Sequence, residues 1–352
     1  MRDSRPAVEA QQLVSKASRI LCTANPIEVG FGRLIDEALP EEAGNPAYRG
    51  QQPEVFAPWF SELQPRNLAF GLKPGGPHAT SDYRIHEGSR AIEGLVREFM
   101  GPKALSWLRA RSEEARGSGY GATSWGASIG ASFDGSGLND AIVSYEWGPT
   151  LMDSLPAPLY RVARIAIELV PGLRPAFSTI HVHRSSGSQH LTFEMTNALR
   201  LAALEPLMQE LGLGHHHGSL MSACGFVLGA RFVLPPNTTT ITLRPTPVGM
   251  ELRLDVNLER LPDLPEPLVP LLQMQMAERP RSIREWHTWL AAFTQEGRPG
   301  PGSFSLLSIV VRPDLPARIA LHLRPAVLDD RDSDEGDHAD AWAGPESVRA
   351  YG

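Results

Sequence analysis

The chain has 352 residues, 42% hydrophobic and 21% charged, enough to bury a real core in one large domain or two ordinary ones. Its formal net charge is −7 and its basic residues, nearly all arginine, form no cluster, which argues against a nucleic-acid surface. Two cysteines, Cys22 and Cys224, make neither a disulfide scaffold nor a metal knuckle, and no run approaches the roughly 18 apolar residues of a membrane span.

The first residues, MRDSRPAVEAQQ, lack the apolar core of a secretion signal, so a cytoplasmic protein is expected. Residues 7–23 read as a helix, with Val8, Leu13, Val14, Ala17 and Ile20 toward one side. Residues 24–52 are rich in Gly, Pro and Glu and read as an irregular connection, and Phe56 to Leu63 as a short helix. A first hairpin follows in NLAFGLKPGGPHATSDYRIHEG, turning at Lys73 to Pro77.

Residues 89–114 are helical with a break at Gly101-Pro102, and the second hairpin turns at Asp134 to Gly137. Residues 154–170 form a helix stopped by Pro171-Gly172. The third hairpin, AFSTIHVHRSSGSQHLTFEM, turns at Ser185 to Gly187. One or two helices occupy 199–232, interrupted by Gly212 to Gly218.

The fourth hairpin has the clearest pattern. Met250, Leu252, Leu254, Val256 and Leu258 alternate with Glu251, Arg253, Asp255 and Asn257, after a turn at Pro245 to Gly249. A helix over 267–296 precedes the fifth hairpin, SFSLLSIVVRPDLPARIALHLRP, which turns at Pro313 to Pro316. The acidic stretch after Pro325, poor in aliphatic residues, reads as a disordered tail. The expected division is therefore an N-terminal helix and connection over 1–54, a repeat domain over 55–326 and the tail over 327–352.

Helix then hairpin recurs five times, at about 60 residues per unit. Ten antiparallel strands in sequence can close into a barrel, which removes exposed edges. Helices outside such a barrel would cover the apolar strand faces and leave the polar faces around a lumen. The competing layout is an open sheet with helices on one side and the polar faces in solvent. Alternation does not choose between them.

Three places carry a resemblance: GGPHATSDYRIHE, MELRLDVNL and SIVVRPDLPARIALHLRP. Together with the element order over about residues 55–326, they resemble the aromatic prenyltransferases of the ABBA or PT-barrel type, nearest the dimethylallyltryptophan synthase family. The resemblance implies an α+β fold, a ten-stranded antiparallel barrel surrounded by helices. It also implies transfer of a prenyl group from an allylic diphosphate to an aromatic, indole-type acceptor in specialised metabolism. No cofactor is required, and a metal is not indicated, since the barrel region has no DDxxD stretch. Partners are these two small molecules, with neither nucleic acid nor membrane.

The departures are specific. Where the family carries its acid this chain has Ala79, and Asp82 is the nearest carboxylate. The second hairpin offers Ser144 and Glu146, with Tyr145 one residue off and turned to the other face. The third offers His190, Thr192 and Glu194, and the last strand has His322 in place of a tyrosine.

A diphosphate needs a cradle of cations, and its departure is stabilised electrostatically in a dry cavity. The candidate cradle is Arg84, His190, Arg253, Arg318, His322 and Arg324, the last three arginine or histidine positions sharing one face of their strand. Tyr145, Glu146 and Asp255 complete the candidate substrate-binding set, with Asp82 and Glu194 as candidate catalytic carboxylates. Glu146 and Glu194 oppose a diphosphate, and they suit a cationic substrate or a proton-transfer role. That motivates a second expectation: the same barrel used for another reaction, such as acid–base cyclisation of a prenylated substrate, or for binding alone.

Other features have plainer readings. His181 and His183 have ligand-like spacing without an identifiable third ligand, and read as ordinary strand residues. His215, His216 and His217 sit in a Gly-bounded turn and read as a solvated loop. The glycine-rich GSGYGAT precedes no helix and is not a phosphate loop.

Overall fold

In the computed structural model, residues 5–22, 54–56, 68–72, 92–117, 127–146, 151–229, 231–261, 280–298 and 300–325 are described. One ten-stranded antiparallel sheet organises them. Its strands in chain order are β1 (Glu54–Phe56), β2 (Leu68–Leu72), β3 (Ala127–Asp134), β4 (Gly137–Glu146), β5 (Leu173–His183) and β6 (Ser186–Met195). A separate two-stranded ribbon pairs β7 (Leu199–Arg200) with β8 (Val233–Leu234). The large sheet resumes with β9 (Thr239–Thr246), β10 (Gly249–Asn257), β11 (Gly302–Arg312) and β12 (Leu315–Pro325).

The spatial order is β1-β12-β11-β10-β9-β6-β5-β4-β3-β2. β1, early in the chain, pairs with β12, the last strand, through Glu54↔His322 and Phe56↔Ala320. The two edges, β1 and β2, approach within 8 Å between Cα atoms, so the sheet curls until its ends face each other. No ladder joins them among the described residues.

The ten strands are not the ten expected. β1 falls at the boundary that the sequence reading gave to a connection and a short helix, whereas the second half of the first hairpin, including Asp82 and Arg84, lies outside the described residues.

Helices cover one face of this sheet. Besides a single turn at Leu151–Ser154, they are α1 (Arg5–Leu21), α2 (residues 92–99), α3 (Pro102–Gly117), α4 (Ala157–Leu169), α5 (Glu205–Glu210), α6 (His217–Val227) and α7 (Pro280–Phe293). Gly101, at φ 84° in the left-handed region, ends α2, and Pro102 starts α3 at a position where its missing N–H costs nothing. In α4, Leu159, Ala163 and Ala166 form the buried stripe, at helical spacing. Lys16 of α1 donates to the carbonyl of Thr294, just past α7, and α1 buries Leu13, Val14 and Ala17 in the same core as the sheet.

That core holds Leu191 and Phe193 of β6, Ile241 and Leu243 of β9, and Leu252, Leu254 and Val256 of β10, among others. A second cluster joins Val143 and Tyr145 of β4 and Ile180 and Val182 of β5 to α2 and α3. The apolar face of every central strand thus points to helices. Whatever alternates with it points to the other side of the sheet.

Three hairpin turns sit one or two residues from where composition places them. β9 runs on to Thr246, which pairs with Gly249. β6 starts at Ser186, paired with His183, and β12 starts at Leu315, paired with Arg312. Glycine and proline mark the neighbourhood of a turn, but the ladder fixes its ends.

The three histidines are not a free loop. Gly214–His216 form a single 3-10 turn leading into α6, and the rings of His215 and His216 meet the carbonyl of Pro313 in the β11–β12 turn, at 3.4 and 3.1 Å. A carbonyl only accepts, so both rings donate from Nε2. Among the described residues, no helix is long and apolar enough to cross a membrane.

Candidate functional site

The face opposite the helices is polar, and its centre is buried. Thr179, His190, Thr242, Glu251, Asp255 and Ser308 are each less than 9% exposed, although five strands supply them. Buried polar groups are costly unless hydrogen-bonded, and all of these but His190 are bonded to a neighbour on the same face.

The registers arrange them in rows. Ser144, Thr179 and His190 lie side by side across β4, β5 and β6. Glu146, Phe177, Thr192, Thr242, Arg253, Val310 and Arg318 form the next row, from β4 to β12. Hydroxyl pairs tie neighbours: Ser144 to Thr179 at 2.7 Å and Thr192 to Thr242 at 2.9 Å.

Arg244 is the hub of the charged part. One guanidinium nitrogen donates to Glu251 at 2.8 Å, across the β9–β10 ladder, and another meets Nδ1 of His181 at 3.1 Å. Arg253 donates to Asp255 at 3.0 Å, two residues along its strand, and Ser308 donates to the other oxygen of the same carboxylate. Two arginines are therefore each tied to a buried carboxylate. Arg318 makes no such pair among the described residues, and its Nε is buried without a hydrogen bond. Burial, and then Arg312, lower the Arg318 pKa, with Asp314 and Glu251 pulling the other way.

His190 stands beside His181, ring edge to ring face, with centroids 6.1 Å apart. Its Nδ1 is buried without a hydrogen bond. Burial, first, then His181, Arg253 and Arg244 hold its pKa well below the ordinary imidazole value, so the ring is neutral.

Of the residues picked out from sequence, His190, Arg253, Asp255 and Arg318 come together on this face. Glu146 pairs with Phe177, His322 with Glu54 and Leu306, and Arg324 with Ser303. Tyr145 does not join this face: it is 2% exposed in the helix-facing core, edge-on to Trp107 with ring centroids 5.8 Å apart, because odd positions of β4 face the helices. It therefore makes no contact with a substrate on the polar face. Glu194 has the right parity but stands exposed near the end of β6, opposite the exposed Arg174, and so lies outside the enclosed set. Arg253 keeps 38% of its side chain exposed, between Glu251 and Asp255, which are buried.

Sequence reading passed over Arg244 as a site residue, and over Glu251 and Ser308. Alternation from Thr240 through Thr242 to Arg244 was the available signal, and Arg244 sits next to the proline taken as the turn. Among the described residues, no group of three or more His, Cys, Asp or Glu is placed to hold a metal ion.

No protein-family model and no curated protein matches this sequence. Solved structures do match its fold. The chain is similar to 6-dimethylallyltryptophan synthase from Micromonospora olivasterospora, in complex with DMASPP and Trp, at TM-score 0.64 and 11% identity, over 92% of this chain and 98% of that one. It is similar to PriB in its binary complex with product diphosphate, at TM-score 0.59 and 12% identity, over 92% and 97%. A third is 5-dimethylallyltryptophan synthase from Streptomyces coelicolor, at TM-score 0.58 and 11% identity, over 92% and 98%. The fold is the one shared by these prenyltransferases, along nearly the whole chain.

Proposed function

We propose that the protein is an aromatic, indole-type prenyltransferase whose curled sheet forms a barrel around the reaction. The observation that supports this most is the buried polar face itself. Arginines, histidines and hydroxyls converge there, in a fold whose solved examples hold a diphosphate or a prenyl donor analogue with tryptophan.

The reaction asks three things of the site. It must hold a leaving diphosphate, and Arg253 and Arg318, in one cross-strand row, are placed for that, with the Thr192 and Thr242 hydroxyls between Arg253 and β5. It must shield an allylic cation, and Phe177 lies in the same row. It must limit water at the reacting atoms, and Thr179, His190, Thr242 and Ser308 at the centre of the face are buried. The acceptor is an electron-rich arene that attacks the allylic carbon as the diphosphate leaves.

A second reading has a specific observation behind it. Glu251 and Asp255 neutralise Arg244 and Arg253, which weakens a polyanion site. The same barrel then serves a different reaction on a less charged substrate, or binding alone. Incubation with dimethylallyl or geranyl diphosphate and a panel of indoles separates the two. Release of diphosphate together with a prenylated indole supports transfer, and absence of both, with no tight diphosphate binding, leaves the second reading.

A further inference from the structure

The buried face contains several groups able to take a proton, and the hydrogen bonds distinguish them. The Asp255 carboxylate is engaged by Arg253 and Ser308, and the Glu251 carboxylate by Arg244. Nδ1 of His181 accepts from Arg244, because a guanidinium has no acceptor to offer. His181 is thereby turned with Nδ1 toward the guanidinium. His190 differs from all of these: it is 7% exposed and makes no hydrogen bond among the described residues. Nδ1 is shut in, which leaves Nε2 as the nitrogen able to meet a ligand.

We propose that His190 is the base that removes the ring proton during prenyl transfer, an assignment that rests on the prenyltransferase reading. The allylic C–O bond breaks and its electron pair leaves with diphosphate. An arene π pair forms the new C–C bond. The substituted arenium carbon then gives its proton to His190 Nε2, and the C–H electron pair restores aromaticity. One imidazolium, one prenylated arene and one diphosphate result, and the imidazolium passes its proton to diphosphate or water. An arenium ion is a far stronger acid than imidazolium, so even a weak base suffices provided it is neutral and in reach.

The groups that face His190 keep it neutral. Arg244 on β9 and Arg253 on β10 oppose a further positive charge, His181 on β5 faces the ring, and Glu251 on β10 is engaged by Arg244. Departing diphosphate would offset those cations as the proton arrives.

The test uses the full chain with dimethylallyl diphosphate and an indole it accepts, deuterated at the carbon that is substituted. His190→Gln and His190→Asn, both melting as the parent does, are expected to lower kcat on the order of 100-fold, with little change in KM for the donor. A primary deuterium isotope effect is expected to appear in the variants where the parent shows almost none, as proton removal becomes rate-limiting. Parent-like turnover in either folded variant overturns the assignment to His190 alone. So does a loss confined to KM, or a loss of kcat without an isotope effect, since both mark a positioning role. A parent protein that transfers no prenyl group to any indole overturns the reading beneath it as well.

Discussion

Arg244 donates to Nδ1 of His181 at 3.1 Å, and that contact turns Nδ1 of the ring toward the guanidinium. Arginine has no lone pair to give, so Nδ1 is the acceptor. The same guanidinium holds Glu251 at 2.8 Å. A carboxylate, a guanidinium and an imidazole are thus linked across three strands on a largely buried polar face.

Removing the hub leaves Glu251 buried without its partner. Arg244→Met is expected to lower unfolding free energy by about 3 kcal/mol, the scale for breaking one side of a buried pair. Arg244→Met with Glu251→Leu should recover most of that loss, because both buried charges are then gone. Urea unfolding of the two variants measures this; equal stability of single and double variants would contradict it.

Asp255 shields Arg253 from an incoming anion. Asp255→Asn keeps the shape and an acceptor for Ser308 while removing the charge. Affinity for inorganic diphosphate should rise about tenfold, or ~1.4 kcal/mol, by calorimetric titration. Unchanged or weaker binding would show that Arg253 does not meet the anion.

Tyr145 supplies a control. It packs on Trp107 in the helix-facing core, so Tyr145→Phe should leave diphosphate affinity at the parental value. Tyr145→Ala should instead cost about 3 kcal/mol or more of stability, as for other buried aromatics.

His190 also makes stability depend on pH. Its folded pKa is depressed, by burial first and by His181, Arg253 and Arg244 next. The unfolded chain therefore binds a proton below about pH 6.5 that the folded chain refuses. The contribution is fully present above that pH and is lost as pH falls from there toward the folded value. Between pH 7 and 5, the melting temperature of the parent should fall more steeply than that of His190→Gln; parallel curves would contradict the assignment.

Much of this was legible in the sequence, for reasons that specific residues illustrate. Leu252, Leu254 and Val256 alternate with Arg253 and Asp255, and that gives the strand, its two faces and two of the site residues together. Gly101-Pro102 marks the α2–α3 break because each residue is suited to one side of it. β1 was not legible, since three residues, Glu54–Phe56, carry no period and gain their strand state from pairing with β12. Glu194 shows a second limit: alternation tells which face a residue takes, but not how near the strand's open end it lies. The Arg244–Glu251 pair shows a third, because it depends on the length of the turn, which composition placed too early.

The most direct test of the central claim is a crystal structure of the protein with dimethylallyl thiolodiphosphate and an indole. The account predicts the diphosphate within hydrogen-bond distance of Arg253 and Arg318, with the arene beside His190 on the buried face. A donor bound on the helix-covered side, or none bound at millimolar concentration, would contradict it.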